Sequence, residues 1–110
     1  MNTSSFSKSG KRPEAISIAA KAPPAFKGKH YRKLAPLYSF FMQYKIDGNQ
    51  KNYTEKYQAE ILDKLDPAQV YKELGENAIL LCWEGPKKFC HRQLIAKWFK
   101  EKLGIEVTEI

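Results

Sequence analysis

The stretch "AILLCWEGPKKFCHRQLIAKWF", residues 78–99, carries the strongest fold signal in the chain. Residues 78–83 are continuously apolar and bounded by turn residues, which predicts a strand buried on both faces. "EGPKK" predicts a loop, and the apolar residues after it recur at helical spacing up to Gly104: Leu94, Ile95, Trp98, Phe99 and Leu103. A last strand is predicted at residues 105–108. Strand, loop, helix and strand within about 30 residues form a parallel crossover unit. We therefore predict an α/β fold with a largely parallel sheet flanked by helices.

The remaining sequence predicts further strands and helices around this unit. Residues 15–20, "AISIAA", predict a strand, preceded by a strand or loop at residues 2–6 and a polar turn. Residues 21–36 contain prolines and a glycine too often for a helix and predict a long ordered loop. Three helices are predicted next, from Pro36 to Asp47, along Tyr53–Leu65, and from Asp66 to Gly75.

Aromatic residues recur at threes and fours along the first two of these helices: Phe40, Phe41, Tyr44, Tyr53 and Tyr57. A series of rings can form a stacking platform for bases. The spacing is, however, that of a helix face that packs into a core, and core packing is the interpretation we favour.

The composition indicates one folded domain over residues 1–110, with 43% hydrophobic and 13% aromatic residues. No run approaches a membrane span, and the start, "MNTSSFSKSGKR", lacks the apolar segment of a signal peptide. These features predict a cytoplasmic protein with no membrane partner. In that compartment the two cysteines, Cys82 and Cys90, are expected to be thiols rather than a structural bridge.

Positive charge is concentrated at the start of the chain. Residues 1–33 hold eight Lys and Arg residues against Glu14 alone, while the remaining 77 residues hold eleven of each sign. This distribution favours an anionic partner, such as a nucleotide, a nucleic acid or a phosphate, at that end. A surface that only keeps the protein in solution is the alternative.

Cys90, His91 and Arg92 occupy three consecutive positions where the last predicted helix begins. Cys82 and Glu84 stand at the end of the strand before it. In an open α/β sheet, ligands bind beyond the carboxyl ends of strands, near helix N-termini. Arg92 is predicted to clamp an anion, Cys90 to be a reactive or ligand-contacting thiol, and His91 to transfer protons or form a hydrogen bond.

Two loop lysines, Lys87 and Lys88, would add positive charge to this anion site. Each site residue also has a structural interpretation: a buried cysteine, a hydrogen-bonded histidine, and an arginine paired with Glu84.

Sharper motifs fit this region less well. A phosphatase loop needs arginine after five residues, and counting from Cys82 gives Lys88 instead. Zinc bound by Cys82, Cys90, His91 and distant His30 lacks the close ligand pairs of structural sites. No dinucleotide, Walker or nucleophile-elbow motif is present. We therefore predict neither metal nor cofactor, and catalysis stays undecided.

Four stretches together resemble one known family: "AISIAAKAPPAFKGKHYRKLAP", the step from Tyr53 to Tyr57, "LDPAQVYKELG" and "ILLCWEGPKKFCHRQLIAKW". They are similar to the bacterial and phage family called domain of unknown function 488, over about residues 3 to 109. The resemblance implies an α/β fold and no particular reaction. It implies a shared site at Cys82, Glu84, Cys90, His91 and Arg92, with Ser17-Ile18 and Phe26-Lys27-Gly28 as further motif positions.

Three functional hypotheses remain open. The first is a site for an anionic ligand, a nucleotide or a nucleic-acid end, around Cys90, His91 and Arg92, with Lys27 and its neighbours closing over it. The second is a non-catalytic nucleic-acid-binding module that uses the basic first third. The third is a thiol redox pair of Cys82 and Cys90, which requires Cα atoms within about 7 Å.

Overall fold

The computed structural model describes residues 1–83 and 89–110. Its five described strands are β1 (Asn2–Ser5), β2 (Ala15–Ser17), β3 (Lys29–His30), β4 (Ile79–Cys82) and β5 (Thr108–Glu109). The described helices are α1 (Phe6–Ser9), α2 (Tyr38–Asp47), α3 (Gln50–Glu60), α4 (Pro67–Leu74) and α5 (His91–Leu103). Short 3₁₀ turns lie at Arg32–Leu34 and Leu62–Lys64.

The strands form one sheet in the order β3-β2-β4-β1-β5, and each neighbouring pair runs parallel. β4 is central, and all four of its residues are buried, as continuous apolar strands in parallel sheets are. After β4 and α5 the chain returns to the same sheet as β5, with β1 between the two strands. The α/β fold and the parallel crossover are therefore confirmed.

Helix boundaries follow local sequence signals. The Asp66 carboxylate accepts a hydrogen bond from the Ala68 N–H at 3.1 Å, with Pro67 in the first turn of α4. Gly104 ends α5 with φ 68°, a left-handed conformation that glycine adopts without steric cost. The aromatic residues of α2 and α3 enter the core, where Phe40, Tyr53 and Tyr57 are buried. Core packing of these rings is thus confirmed.

The two faces of the sheet carry different clusters. Leu80 and Ile16 pack with the helices in the larger core, which includes Ile95 and Phe99 of α5. Ile79 and Leu81 point to the opposite face, where they pack with Ala15 and with Phe6 and Phe26. Because side chains alternate along a strand, Cys82 faces α5 and Trp83 lies on the Phe6 and Phe26 side. Side chains that are consecutive in the chain thus serve different faces of the sheet.

The elements differ from the sequence prediction in several places. β2 ends at Ser17 rather than at residue 20, and α3 spans Gln50–Glu60 rather than Tyr53–Leu65. The residues after β1 form the single turn α1, in which the Ser5 hydroxyl accepts from the Lys8 N–H. The loop predicted at residues 21–36 contains β3, whose two residues are exposed and give no apolar signal. The last strand pairs at Thr108–Glu109 rather than 105–108. None of the described helices is long and apolar enough to cross a membrane.

Candidate functional site

Cys82 and Cys90 form a disulfide between the last residue of β4 and the N-cap of α5. Both side chains are buried. The expectation of two free thiols was therefore wrong for this structure. The Cα atoms lie 7.3 Å apart, beyond the 7 Å limit set for a redox pair and beyond the usual 4.4–6.8 Å, although the sulfurs themselves are joined. The limit of about 7 Å was a criterion for whether the two sulfurs could meet. Here the sulfurs are bonded, so the two cysteines are a pair despite the longer Cα separation.

Arg92 is fully buried in the first turn of α5 and contacts one of the two sulfurs. Its Nη1 donates to Cys82 Sγ at 2.7 Å, and its Nε donates to Glu109 Oε1 at 2.9 Å. The Thr3 hydroxyl donates to the same Glu109 oxygen at 2.7 Å. A buried guanidinium needs such an anionic partner, because an unpaired charge in the interior is strongly destabilising. Arg92 is therefore fixed between β4 and β5.

His91 contacts the other sulfur. Its Nε2 lies 2.8 Å from the Ile18 carbonyl oxygen and its Nδ1 lies 3.5 Å from Cys90 Sγ. A carbonyl only accepts, so Nε2 carries the proton and Nδ1 presents its lone pair to Cys90. Burial lowers the pKa of His91 to about 4; the carbonyl contact opposes this shift and the charge of Arg92 adds to it. The imidazole is therefore neutral near pH 7.

The cluster assembles because β4 ends where α5 begins. Cys90 caps α5, and its N–H donates to Gln93 Oε1 at 3.3 Å, which fixes the first turn and places His91 and Arg92 inward. The structure thus places Cys82, Cys90, His91 and Arg92 in contact with one another. Glu84, Lys87 and Lys88, which were predicted to join them, lie outside the described residues.

Two contacts of this site were not predicted from the sequence. The Ile18 carbonyl orients His91, and Ser17 supports that turn by accepting a hydrogen bond from the Ala19 N–H at 3.3 Å. Glu109 pairs with Arg92 across 17 residues, which no local pattern reveals. Its position in the last strand was the available signal, because residues at the carboxyl ends of parallel strands meet at one edge of the sheet.

The Phe26-Lys27-Gly28 motif lies away from the cysteine cluster. Phe26 packs on the sheet face opposite α5, and Lys27 is exposed. A Cβ at Gly28 would stand 2.6 Å from the Phe26 ring and 3.1 Å from the Ala15 carbonyl oxygen. Gly28 therefore leaves the space into which the Phe26 ring folds. Ser17, in contrast, adjoins the Ile18 carbonyl that His91 contacts.

Four rings on this opposite face form a connected series, here called the aromatic row: Trp83, Phe6, Phe26 and His30. Successive centroids are 5.5, 5.3 and 5.5 Å apart, each pair edge to face. Trp83 is 55% exposed, and its indole N–H donates to the Lys21 carbonyl oxygen at 2.7 Å. Lys21, Lys27 and Lys29, from the same basic stretch, are exposed.

Among the described residues, one group of cysteine and histidine side chains brings its sulfur and ring-nitrogen atoms as close together as the ligands of a metal ion. The ligand atoms of Cys82, Cys90 and His91 all lie within 4.8 Å of one another, and the three side chains are buried. The cluster therefore combines two sulfurs joined in a disulfide, a neutral imidazole and a fixed cation.

Comparison with known families matches residues 8–103 to DUF488-N3a, described as the active DUF488-N3 subclade. The match covers most of the chain and includes every described residue of the cysteine cluster. Neither a curated protein nor a solved structure matches the chain.

Proposed function

The chain belongs to the domain of unknown function 488 family, and from that premise we propose that it is a thiol–disulfide redox protein that uses Cys82 and Cys90. The pairing of these two sulfurs, one of them beside a buried guanidinium, carries the proposal. The family description as an active subclade agrees with a chemical role. The proposal includes a cytoplasmic location, where protein disulfides are chiefly catalytic or redox-sensing.

The two sulfurs have different neighbours, which assigns them different roles. Arg92 Nη1 donates to Cys82 Sγ, and a guanidinium at this position stabilises negative charge on sulfur. Cys90 lies at the N-terminus of α5, 3.5 Å from the lone pair of His91 Nδ1. Cys90 is 5% exposed and Cys82 1%, so Cys90 is the more accessible sulfur. Since both are nearly enclosed, the exchange partner is a low-molecular-weight thiol.

Reduction then proceeds in two balanced exchanges. The thiolate of one small thiol attacks Cys90 Sγ, the Cys82–Cys90 bond breaks, and Cys82 leaves as a thiolate held by Arg92. A second small thiolate attacks the sulfur of the first, which releases Cys90 and forms the small disulfide. Cys90 leaves as a thiolate and takes a proton from water, and the thiol that results donates a hydrogen bond to His91 Nδ1. The protein gains two electrons, and the two small thiols lose them.

A redox titration tests this function. The chain has only two cysteines, so every thiol measured belongs to this pair. The protein is equilibrated in glutathione buffers with a metal chelator, its thiols are trapped by alkylation, and the alkyl groups are counted by mass spectrometry. We expect a single transition between chains carrying none and chains carrying two. Chains that stay fully reduced or fully oxidised across all buffers, or that accumulate one alkyl group, would overturn the proposal.

Variants identify the contribution of Arg92. Arg92→Met removes the cation beside Cys82, and we expect several-fold less reduced protein at a given buffer ratio. The matched control is Lys97→Met, which removes an exposed cation from the same helix and should leave the midpoint unchanged. Circular dichroism establishes that both variants fold. If folded Arg92→Met has the same redox midpoint as the parent, Arg92 does not stabilise the Cys82 thiolate. The redox function of the cysteine pair would still stand on the titration of the parent.

A second candidate function is binding of an anionic ligand, single-stranded nucleic acid, at the aromatic row. It is favoured by exposed Trp83 at one end of four connected rings and by exposed lysines in the adjoining basic stretch. Aromatic rings stack on bases and lysine side chains contact the phosphates, and together these contacts bind a single strand without sequence preference. Arg92 is fully buried and already donates to Glu109 and Cys82, which leaves it inaccessible to an external anion, so this proposal places the ligand on the opposite face.

Salt dependence and one substitution test this second candidate. Binding of an oligothymidylate should weaken steeply as salt increases, because phosphate contacts release counterions. Trp83→Ala should weaken binding by about 1–3 kcal/mol if a base stacks on the indole. Ile46→Ala, at an exposed apolar residue of α2, is the control and should bind as the parent does. Salt-independent binding, or equal binding by both variants, would contradict the assignment.

A further inference from the structure

We propose that the reduced form of the same cluster is a zinc site, in which Cys82 Sγ, Cys90 Sγ and His91 Nδ1 bind one Zn²⁺. This inference rests on the proposed function because the two sulfurs bind a metal only after the disulfide has been reduced. Two thiolates and an imidazole are a ligand set that Zn²⁺ accepts readily, and three protein ligands are typical of zinc sites that keep a fourth position for water or substrate.

The separation of Cys90 Sγ and His91 Nδ1 fits a shared metal. With Zn–S near 2.3 Å and Zn–N near 2.05 Å, a tetrahedral ion places sulfur and nitrogen about 3.6 Å apart. The two atoms lie 3.5 Å apart here. The two ligand atoms approach each other because Cys90 caps α5 while His91 begins it.

Cys82 completes the set from β4. Its sulfur lies within 4.8 Å of both other ligand atoms. A tetrahedral Zn²⁺ separates two sulfurs by about 3.8 Å, so the sulfurs must move apart after reduction. The Cα separation of 7.3 Å, longer than the disulfide range, leaves room between the two side chains for that movement.

The surroundings of His91 are those of a metal-ligating histidine. Such a histidine usually donates its other ring N–H to a carbonyl or carboxylate, which fixes the tautomer and the ring orientation. His91 Nε2 meets the Ile18 carbonyl at 2.8 Å, which leaves Nδ1 as the free ligand atom. The family motif at Ser17-Ile18 gains a physical role here, because this segment orients the imidazole.

Charge also favours the assignment. Cys82, Cys90 and His91 are each at most 5% exposed, so a net charge buried among them would be costly. Two thiolates and one Zn²⁺ form a neutral unit, and Arg92 already pairs with Glu109. Binding releases the proton of each thiol that is still protonated, and opening the disulfide consumes two electrons, supplied by two small thiols that become one disulfide.

The proposal is tested on the full chain, reduced with a phosphine that does not bind metal. Zn²⁺ is titrated against a chromophoric chelator, and Co²⁺ serves as the spectroscopic probe in a parallel titration. We expect one metal ion per chain. The Co²⁺ complex of the parent protein should show sulfur-to-cobalt charge-transfer absorption, which identifies thiolate ligands. Oxidised protein should bind at least about 100-fold more weakly. Equal binding by oxidised and reduced protein, or a Co²⁺ spectrum without thiolate absorption, would overturn the zinc site.

Two histidine variants give a matched comparison. His91→Asn should weaken Zn²⁺ binding at least about tenfold, since it removes a ligand, while His30→Asn, at the other and exposed histidine, should bind as the parent does. Equal affinity in the two folded variants would exclude His91. The chelator in the glutathione titration keeps zinc away from the cysteines, so the two proposals are tested separately. If the cysteines titrate but the reduced protein binds no zinc, only the zinc site is wrong. If the reduced protein binds zinc but the cysteines do not titrate, only the thiol–disulfide function is wrong.

Discussion

Arg92 and Glu109 form an ion pair that joins the first turn of α5 to the last strand, with Arg92 Nε 2.9 Å from Glu109 Oε1. The arginine side chain is fully buried and the glutamate side chain is 29% exposed. Among the described residues, Glu109 Oε2 is a buried oxygen without a hydrogen-bond partner, so the pair holds Glu109 through one oxygen.

Glu109→Gln should therefore destabilise the protein by roughly 3 kcal/mol, because it leaves a buried guanidinium without its counter-charge. Chemical denaturation at neutral pH measures this loss. The matched control is Glu60→Gln, which breaks an exposed pair with Lys64 and should cost less than about 1 kcal/mol. Equal losses in the two variants would show that burial does not distinguish these pairs.

Gly28→Ala should destabilise the protein by about 1 kcal/mol, the low end of the overpacking cost, because Gly28 is exposed and the half-buried Phe26 ring must shift to admit the methyl group. The new Cβ would meet the Phe26 ring at 2.6 Å. Because Phe26 contacts Phe6 and Phe6 contacts Trp83, tryptophan fluorescence should change as well.

The same substitution in a Phe26→Leu background identifies the source of the loss. Leucine lacks the ring that the new Cβ would contact. Gly28→Ala should therefore lower the free energy of unfolding less in this background than in the parent. An undiminished cost would place the conflict at the Ala15 carbonyl instead, 3.1 Å from the same position.

The parts of the fold that the sequence predicted are those with a strong local pattern. β4 is a continuous apolar run and α5 repeats its apolar residues at helical spacing, so both could be located from residues alone. β3 could not, because its two exposed residues, Lys29 and His30, become a strand only by pairing with β2. A strand that forms only by pairing with its neighbour shows no alternation of apolar and polar residues in its own sequence.

The site divides in the same way. Cys82 and Cys90 were expected to be near each other because one ends a strand and the other begins the following helix, and the structure places their sulfurs in a bond. Their oxidation state was misjudged, because a thiol and a disulfide have the same sequence. The contact from Arg92 to Glu109 depends on β5 reaching the sheet edge, which is a property of topology rather than of any local motif.

Tyr31→Phe should raise the pKa of Glu73 from about 2 toward its ordinary value. The largest cause of the low pKa is the hydrogen bond that the Tyr31 hydroxyl donates to the Glu73 carboxylate, followed by bonds from Gln69 and Lys33. Carbon-detected NMR titration of the carboxyl group measures it. Gln69→Ala removes a smaller contribution and should produce a smaller rise, and the reverse order would contradict this ranking.

The sign of the linked pH effect follows from the lowered pKa. Glu73 keeps its charge in the folded chain at a pH where the unfolded chain binds a proton, so its contribution is complete above the ordinary glutamate pKa of 4.5. That contribution is lost as the pH falls from there toward 2. Stability curves of the parent and Tyr31→Phe should accordingly converge in acid, and curves that diverge there would refute the linkage.

Tyr57→Phe should destabilise the protein by about 1–3 kcal/mol, although it removes a single oxygen. Tyr57 is fully buried, and its hydroxyl donates to the Leu34 carbonyl oxygen at 2.6 Å, which joins α3 to the segment before α2. The phenylalanine ring fills the same space but leaves that carbonyl without a donor in the interior. Thermal and urea unfolding measure the loss, with Tyr71→Phe as the control at a half-buried tyrosine whose ring packs on Phe99. Because the two substitutions remove the same atom, a loss confined to Tyr57→Phe isolates the hydrogen bond, and equal losses would assign the effect to ring packing.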